Sequence, residues 1–412
     1  MSQNTSDIKP PSPVVATAGL AAPFLHASET ARSIFLIIFM AACGPLLAGI
    51  AIFGWRVAML AAISIASCAA IERLCYRVSK MPSLAGRTHA CLTGLLLALT
   101  LPPFAPWYVP VIASAFAIIV GKAIFGGVGH FLWQPALVGR LAVAVLFAST
   151  LNPDQWSVLA QDKLIVGDVQ NCRRAQGYQQ WRGQAAPRGA DGFLLAPPRQ
   201  LLAGLTDHEA PAYWAINEVS EDASTPAPSA LLPLPPINDL LYGAYGGEAG
   251  ATCSLVIVMA GLYLVYRNYV KWQLPVMFIL SAAAVAAVGP VFLAGPHQTV
   301  ETTWLPVWAE GLDVGFIYVM YQLLSGPLLL AAFFLASEMT SRPVTSGGQA
   351  IFGVGCGVLA MLLQLYTPIA IPAYMAVLAM NTLTPAIDRL GWPAVLGRRR
   401  RLWARFGNGG RP

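Results

Sequence analysis

Apolar and polar positions along the chain alternate in blocks rather than with a helical or strand period. Long runs with few or no charges are separated by polar or proline-containing connections. A bilayer core takes about 20 apolar residues per helix, and the runs at 33–55, 57–71, 135–151, 249–266, 272–293 and 314–337 each read as one span. Two further runs, 88–121 and 343–387, are double length. LPPFAPW (101–107) and TPIAIP (367–372) divide them, because proline ends a helix at the residue before it. Ten spans result. The run at 57–71 is the shortest and stops at Glu72 and Arg73. The first span begins beyond a polar lead and has no cleavage pattern after it, so it reads as a retained helix rather than a signal peptide.

Charge position supplies an independent check. Basic residues gather in the second-to-third connection (Arg73, Arg77, Lys80, Arg87), in the sixth-to-seventh (Arg267, Lys271) and in the tail from Arg389 to Arg411. LPPFAPW, the region of Glu301 and Glu310, and TPIAIP carry no Lys or Arg. Ten spans with both termini cytoplasmic place every basic connection inside. The expected organisation is a cytoplasmic segment (1–32), a first five-helix half (33–151), a periplasmic loop with a re-entry segment (152–248), a second five-helix half (249–388) and a basic cytoplasmic tail (389–412). The chain is thus expected to be an all-α, multi-pass protein of a bacterial inner membrane.

Composition agrees and narrows the class. Of 412 residues 56% are hydrophobic and 11% charged, against about 25% charged in soluble domains. A soluble enzyme, a disordered scaffold and a disulfide-built secreted module are excluded. The net charge of +6 belongs to the inner loops, so it does not point to nucleic acid. Seven cysteines form no CxxC pair, which supports neither a disulfide framework nor a paired zinc site.

The outward loop is different in kind. Residues 152–237 hold nine acids, six bases and ten prolines, which reads as extended irregular chain, either functional or a disordered insertion. Five spans on either side give halves of opposite orientation, the arrangement of inverted-repeat transporters. The third span of each half runs into a proline-containing break, LLLALTLPPFAPW (95–107) and LLLAAFFLASEMTSRPV (328–344). Interrupted helices at matching positions point to a midplane site.

Few segments offer chemistry. In GKAIFGGVGHFLWQPALVGR (121–140), Gly126, Gly127 and Gly129 permit either a tight interhelix turn or close approach to a ligand, and Pro135 suits a first helical turn. Arg140 either snorkels to the cytoplasmic face or is paired inside the bundle. Gly353 and Gly357 are spaced for a helix-packing seam. Glu248 stands at the boundary of a glycine-rich run that is either a cradle for an ion or cofactor or an ordinary loop end. The five histidines are scattered, and carboxylates within the spans are few. A hydrolase, a zinc site, a haem site and a proton pump built on a carboxylate relay are all disfavoured.

Four blocks carry a resemblance. Residues 95–140, together with DLLYGAYGGEAGATCSLVIVMAGLYLVYRNYVKWQLPV (239–276), LLSGPLLLAAFFLASEMTSRPVTSGGQAIFG (323–353) and AVLAMNTLTPAIDRL (376–390) with Asn381, Pro385 and Asp388, resemble the D subunit of the Rnf electron-transport complex. They are similar also to its relative, the B subunit of the sodium-pumping NADH:quinone oxidoreductase. The resemblance implies a flavin-carrying subunit of an ion-translocating ferredoxin:NAD+ oxidoreductase, not catalytic alone, working with other membrane, flavin-bearing and iron–sulfur subunits. It implies an FMN joined by a phosphodiester to a threonine of the outward loop, placed there by a flavin transferase. EDASTP (221–226) makes Thr225 that threonine, with Thr252 in GATC the runner-up; Asp222, Ala223 and Ser224 stand where the family shows Ser, Gly and Ala. A second, noncovalent flavin (riboflavin or FMN) is also implied, with Gly126, Gly127, Gly129 and Arg140 as contributors. His130, Phe131, Leu132, Trp133 and Gln134 depart from the family's pattern at that turn, which marks a divergent member. The alternative from the span pattern alone is a nonredox secondary transporter or channel.

Overall fold

The computed structural model describes residues 30–79, 86–151 and 237–391, apart from 128, 149, 244–246, 290–307, 309–311, 325 and 368. The segment expected to form an outward loop, with Thr225, most of the amino-terminal segment and the basic tail therefore lie outside the described residues. All regular structure among those described is helical. In chain order the helices are α1 (Ala31–Phe53), α2 (Trp55–Ser79), α3 (Gly86–Thr100), α4 (Tyr108–Ala123), α5 (Pro135–Leu146), α6 (Ile237–Tyr242), α7 (Ser254–Tyr266), α8 (Gln273–Val288), α9 (Leu312–Leu324), α10 (Leu328–Leu335), α11 (Ser346–Tyr366) and α12 (Pro372–Gly391).

Three of these, α1, α2 and α11, are long and apolar enough to cross a membrane. The α9–α10 pair becomes a fourth if its two parts, bent by 62°, are one span. Shorter apolar helices make up the rest of the bundle. Leu36, Met40 and Leu47 of α1, Leu255, Met259 and Leu262 of α7, and Leu280 of α8 are exposed, while Glu72, Lys122 and Glu338 are buried. That polarity is the reverse of a water-soluble fold and suits an integral membrane protein, whose outer solvent is hydrocarbon.

The breaks fall where the prolines require. α3 ends before Leu101 and α4 begins at Tyr108; α11 and α12 part at 367–371. Two expectations are corrected. α2 does not stop at 71 but runs to Ser79, because Glu72 finds a buried partner instead of solvent. The run at 314–337 is not one straight span: Gly326 and Pro327 bend it between α9 and α10.

α3 has 15 residues, about 22 Å at 1.5 Å per residue, shorter than a bilayer core of about 30 Å. Its last carbonyls have no helical donor. The loop entering α7 supplies them: the Gly250 amide donates to Leu99 O and the Ala249 amide to Leu101 O, both at 2.9 Å. α3 thus ends inside protein, held by a segment from the other half of the chain.

The helices pack in two similar sets. α2 lies on α3 and α4, and α4 on α5; α8 lies on α11, and α11 on α12. α1 packs against α3 of the first set and against α7. Small residues set the closest crossings, as membrane helices without a hydrophobic driving force require. A Cβ on Gly353 would lie 2.7 Å from Leu274 O, and one on Gly357 would strike Phe278 O and Ser281 Oγ of α8, so the expected packing seam is present. Gly357→Leu should force α11 from α8 and cost about 1–3 kcal/mol or more. A clear fall in the melting temperature of the detergent-solubilised chain checks this; an unchanged one counts against the seam.

Candidate functional site

Two buried polar clusters sit at the two ends of α3. The first gathers around Arg140, whose Nε donates to Thr100 O at 2.8 Å and whose guanidinium reaches Glu248 Oε1 at 3.3 Å. Tyr374, at the start of α12, donates its hydroxyl to the other oxygen of Glu248. Arg140 therefore answers a carbonyl left over at the end of α3 and a carboxylate from the loop entering α7 at once. It is 6% exposed, so of the two alternatives the paired one holds and Arg140 does not snorkel.

The second cluster lies eleven residues back along α3, about 16 Å at 1.5 Å per residue. Lys122 donates to the Glu72 carboxylate of α2 and lies 3.1 Å from His89 Nδ1. His89 Nε2 in turn stands 3.5 Å from Glu338 Oε1, and Gln134 Nε2 3.5 Å from Glu338 Oε2. His89 and Lys122 are each 1% exposed, Glu72 5% and Glu338 7%. Phe35 and Phe131 flank the imidazole, with ring centroids 4.9 and 5.6 Å away. Charges this deep persist only where each meets a partner.

Local backbone explains the placement. α4 finishes in a π turn over Ile119–Ala123, and α10 in another over Ala331–Leu335; such turns re-aim side chains and gather at functional sites. The first carries Lys122 and the second ends three residues before Glu338. Gln134 caps α5, its side-chain oxygen accepting from the Leu137 amide, with Pro135 in the first turn. The cap therefore spends Oε1 on the helix and leaves Nε2 for Glu338.

Gly126, Gly127 and Gly129 have φ near +100° (97°, 101° and 94°), the region that favours glycine. They form the reversal between α4 and α5. Gly126 and Gly127 line a pocket with Glu72, Tyr76 and Lys122, whereas Gly129 is exposed with open space around it. Arg140 has other partners, in the first cluster, so the structure does not bring it together with the glycines. Thr252 is buried, and its hydroxyl has no hydrogen-bond partner. Glu248 belongs to an ion pair rather than an empty cradle.

The sequence reading missed Glu72, His89, Lys122, Glu338 and Tyr374 as a set. Its premise that charges within the spans are sparse is corrected by the second cluster, which buries Glu72, His89, Lys122 and Glu338 together. The available signal was the presence of four ionisable residues inside or beside apolar runs, which in a membrane protein is itself a site hypothesis. Among the described residues no group of three or more His, Cys, Asp or Glu could hold a metal, and six cysteines are free thiols. Asn381 of α12 is fully buried, with both amide atoms lacking a partner. Thr384, one turn on, donates to Ser341 O in the segment after α10.

Comparison with known proteins covers almost the whole chain. It is 29% identical over 383 residues to the D subunit of the ion-translocating oxidoreductase complex of Halorhodospira halophila, covering 92% of this chain and 96% of that one. It is 28% identical over 377 residues to the D subunit of the Na(+)-translocating ferredoxin:NAD(+) oxidoreductase complex of Acetobacterium woodii, covering 91% and 93%. It is 26% identical over 380 residues to the D subunit of the proton-translocating ferredoxin:NAD(+) oxidoreductase complex of Clostridium ljungdahlii, covering 92% and 95%. Residues 20–397 match the family described as NQR2, RnfD, RnfE, a match that takes in both clusters and both helix breaks. The chain belongs to that family.

Proposed function

We propose that the chain is the D-type membrane subunit of an ion-translocating ferredoxin:NAD+ oxidoreductase of the Rnf kind, working only within the multi-subunit complex. The observation that carries this is the end-to-end match to subunits of that name, over more than nine-tenths of each chain. The relatives are named for different ions, sodium and the proton, so kinship alone leaves the ion open. The chain has no dinucleotide fingerprint and no iron–sulfur cysteine set. NAD+ and ferredoxin are therefore handled by other subunits.

The finer topology is part of the same proposal: ten spans in two inverted five-helix halves, termini cytoplasmic, residues 152–248 periplasmic. The parallel packing of α2–α4–α5 and α8–α11–α12 supports it, as does the short α3, whose end is received by the opposite half. On this topology the Lys122 cluster faces the cytoplasmic side and the Arg140 cluster the periplasmic side.

The flavins complete the reading. FMN bound through its phosphate to Thr225 would supply the electron-carrying ring, and the chain would supply the tether and the position. Thr225 lies outside the described residues, while Thr252 is buried behind α3 and α6, where Gly243 and Gly250 already have no room for a Cβ. A phosphodiester fits Thr252 poorly. For the second flavin, Gly126 and Gly127 border a pocket, but Arg140 is engaged by Glu248 and Thr100, so a flavin phosphate is not assigned to it.

A denaturing gel tests the tether. The chain expressed with its flavin transferase and partner subunits should fluoresce as a flavoprotein after denaturation. Thr225→Ala should remove the signal and Thr252→Ala should leave it. A nonfluorescent parent chain would sink the covalent-flavin reading, and loss only in Thr252→Ala would move the tether.

A further inference from the structure

We propose that the His89–Glu338 pair, fed through Lys122 from the pocket at the Gly126–Gly127 turn, is a proton-loading site, so that the ion this chain handles is a proton and not sodium. The inference deepens the function proposed above and rests on it for the driving reaction; the binding chemistry stands on the geometry alone.

The charge count sets the problem. Carboxylates at Glu72 and Glu338 are matched by the Lys122 ammonium and by the Arg342 guanidinium, so the fixed charges of the cluster balance. A metal cation added here would be a buried charge without a counter-charge, which is costly, whereas a proton can pass along groups already in place. Hard metal cations select oxygen ligands. The side-chain groups facing the Glu338 carboxylate are instead nitrogens, His89 Nε2 at 3.5 Å from one oxygen and Gln134 Nε2 at 3.5 Å from the other. Lys122 already occupies the far side of the imidazole, and Arg342, in the turn after α10, acts on Glu338 as a further positive charge. A sodium ion here would sit among N–H donors and fixed cations. A proton requires only a lone pair.

The imidazole is oriented to pass it. The Lys122 ammonium donates, so Nδ1 accepts, and the ring proton belongs on Nε2. That nitrogen is buried, aimed at Glu338, and has no hydrogen-bond partner. A single transfer balances. An N–H bond of Lys122 breaks as one forms at Nδ1; the Nε2–H bond breaks as an O–H forms on Glu338. The imidazole ends neutral in its other tautomer. The Lys122 amine then takes a proton from hydronium reaching the pocket that its side chain lines with Glu72 and Tyr76, leaving neutral water, and Glu72 holds the restored ammonium. Phe35 and Phe131 keep the His89 side apolar, so the imidazole rather than a water chain is the route. The other ionisable groups within electrostatic reach are Cys68, Cys75 and Tyr76 of α2 and Cys91 of α3, each acted on by Glu72. All four are neutral acids at physiological pH, and none replaces His89 between Lys122 and Glu338.

Infrared difference spectra of the purified full chain, recorded as pH is stepped, test the site without any electron transfer. A protonated carboxyl band should grow as pH falls, vanish in Glu338→Gln, and move its midpoint by about one pH unit or more in His89→Gln. No titrating carboxyl band in the parent chain, or one that added sodium chloride removes at fixed pH where potassium chloride does not, overturns the proposal. In inverted membrane vesicles holding the whole complex, ferredoxin-driven NAD+ reduction should acidify the lumen without added sodium. His89→Gln should lower the protons moved per NAD+ reduced by about tenfold or more, since a positioned acid–base group contributes about 10²–10⁴-fold in rate. Uptake of radioactive sodium in place of acidification also overturns it. If the vesicles reduce no NAD+ while the carboxyl band still titrates, the assigned complex is wrong and the proton site stands.

Discussion

Lys122→Met should destabilise the folded chain by about 3–5 kcal/mol, the cost of removing one partner from a buried ion pair. The substitution keeps the volume of the stem and deletes the ammonium that Glu72 accepts from and His89 Nδ1 faces. Both remain in a site that is almost fully closed. Glu72 then either stays charged without a counter-ion or takes up a proton, and each choice costs free energy relative to the parent. The cause is charge rather than packing, so Lys122→Met combined with Glu72→Gln should be closer to the parent than Lys122→Met alone. Melting of the detergent-solubilised chain, followed by fluorescence-detected size exclusion, reads both. A double variant as unstable as the single one would show that lost packing dominates instead.

Arg140→Met is expected to cost about 2–4 kcal/mol, somewhat less because Glu248 is only partly buried and keeps the Tyr374 hydroxyl. Two losses combine. The Thr100 carbonyl, at the end of a helix that stops inside protein, loses its donor, and Glu248 loses its cation. Arg140→Lys should recover only part of this, because an ammonium cannot span the carbonyl and the carboxylate as a planar guanidinium does. The loop entering α7 is fastened to α3 by the same contacts, so Arg140→Met should also speed proteolysis there. An Arg140→Lys variant as stable as the parent would mean that charge alone matters at this position.

The two clusters also show what the sequence could and could not convey. Apolar helices were legible because hydropathy is a property of local runs, and the breaks at 101–107 and 367–371 because proline acts on its own helix. The Gly353–Gly357 seam was legible for the same reason, as a spacing on one helix face. Clusters are not local. Glu72 and Lys122 are 50 residues apart and Gln134 and Glu338 are 204 apart, and no spacing rule joins them. Hydropathy misplaced Glu72 as well. A carboxylate after an apolar run reads as a helix end, yet α2 continues to Ser79 because Lys122 on another helix neutralises it. Arg140 was recognisable as a paired or snorkelling charge, but its partner, Glu248, lies 108 residues further along the chain. The tether expected at Thr225 came from resemblance alone, since a single threonine in a polar segment leaves no periodic trace.

The central claim is that this chain is a working membrane component of a ferredoxin:NAD+ oxidoreductase that drives ion transport. Its most direct test uses inverted membrane vesicles from cells making the whole complex, with this chain present, deleted, or deleted and restored. The quantities to follow are NAD+ reduction by reduced ferredoxin and the ion gradient that accompanies it. The account predicts that deletion abolishes the gradient and the NAD+ reduction coupled to it, and that restoring the chain brings both back. A gradient of undiminished size in the deletion strain would contradict it.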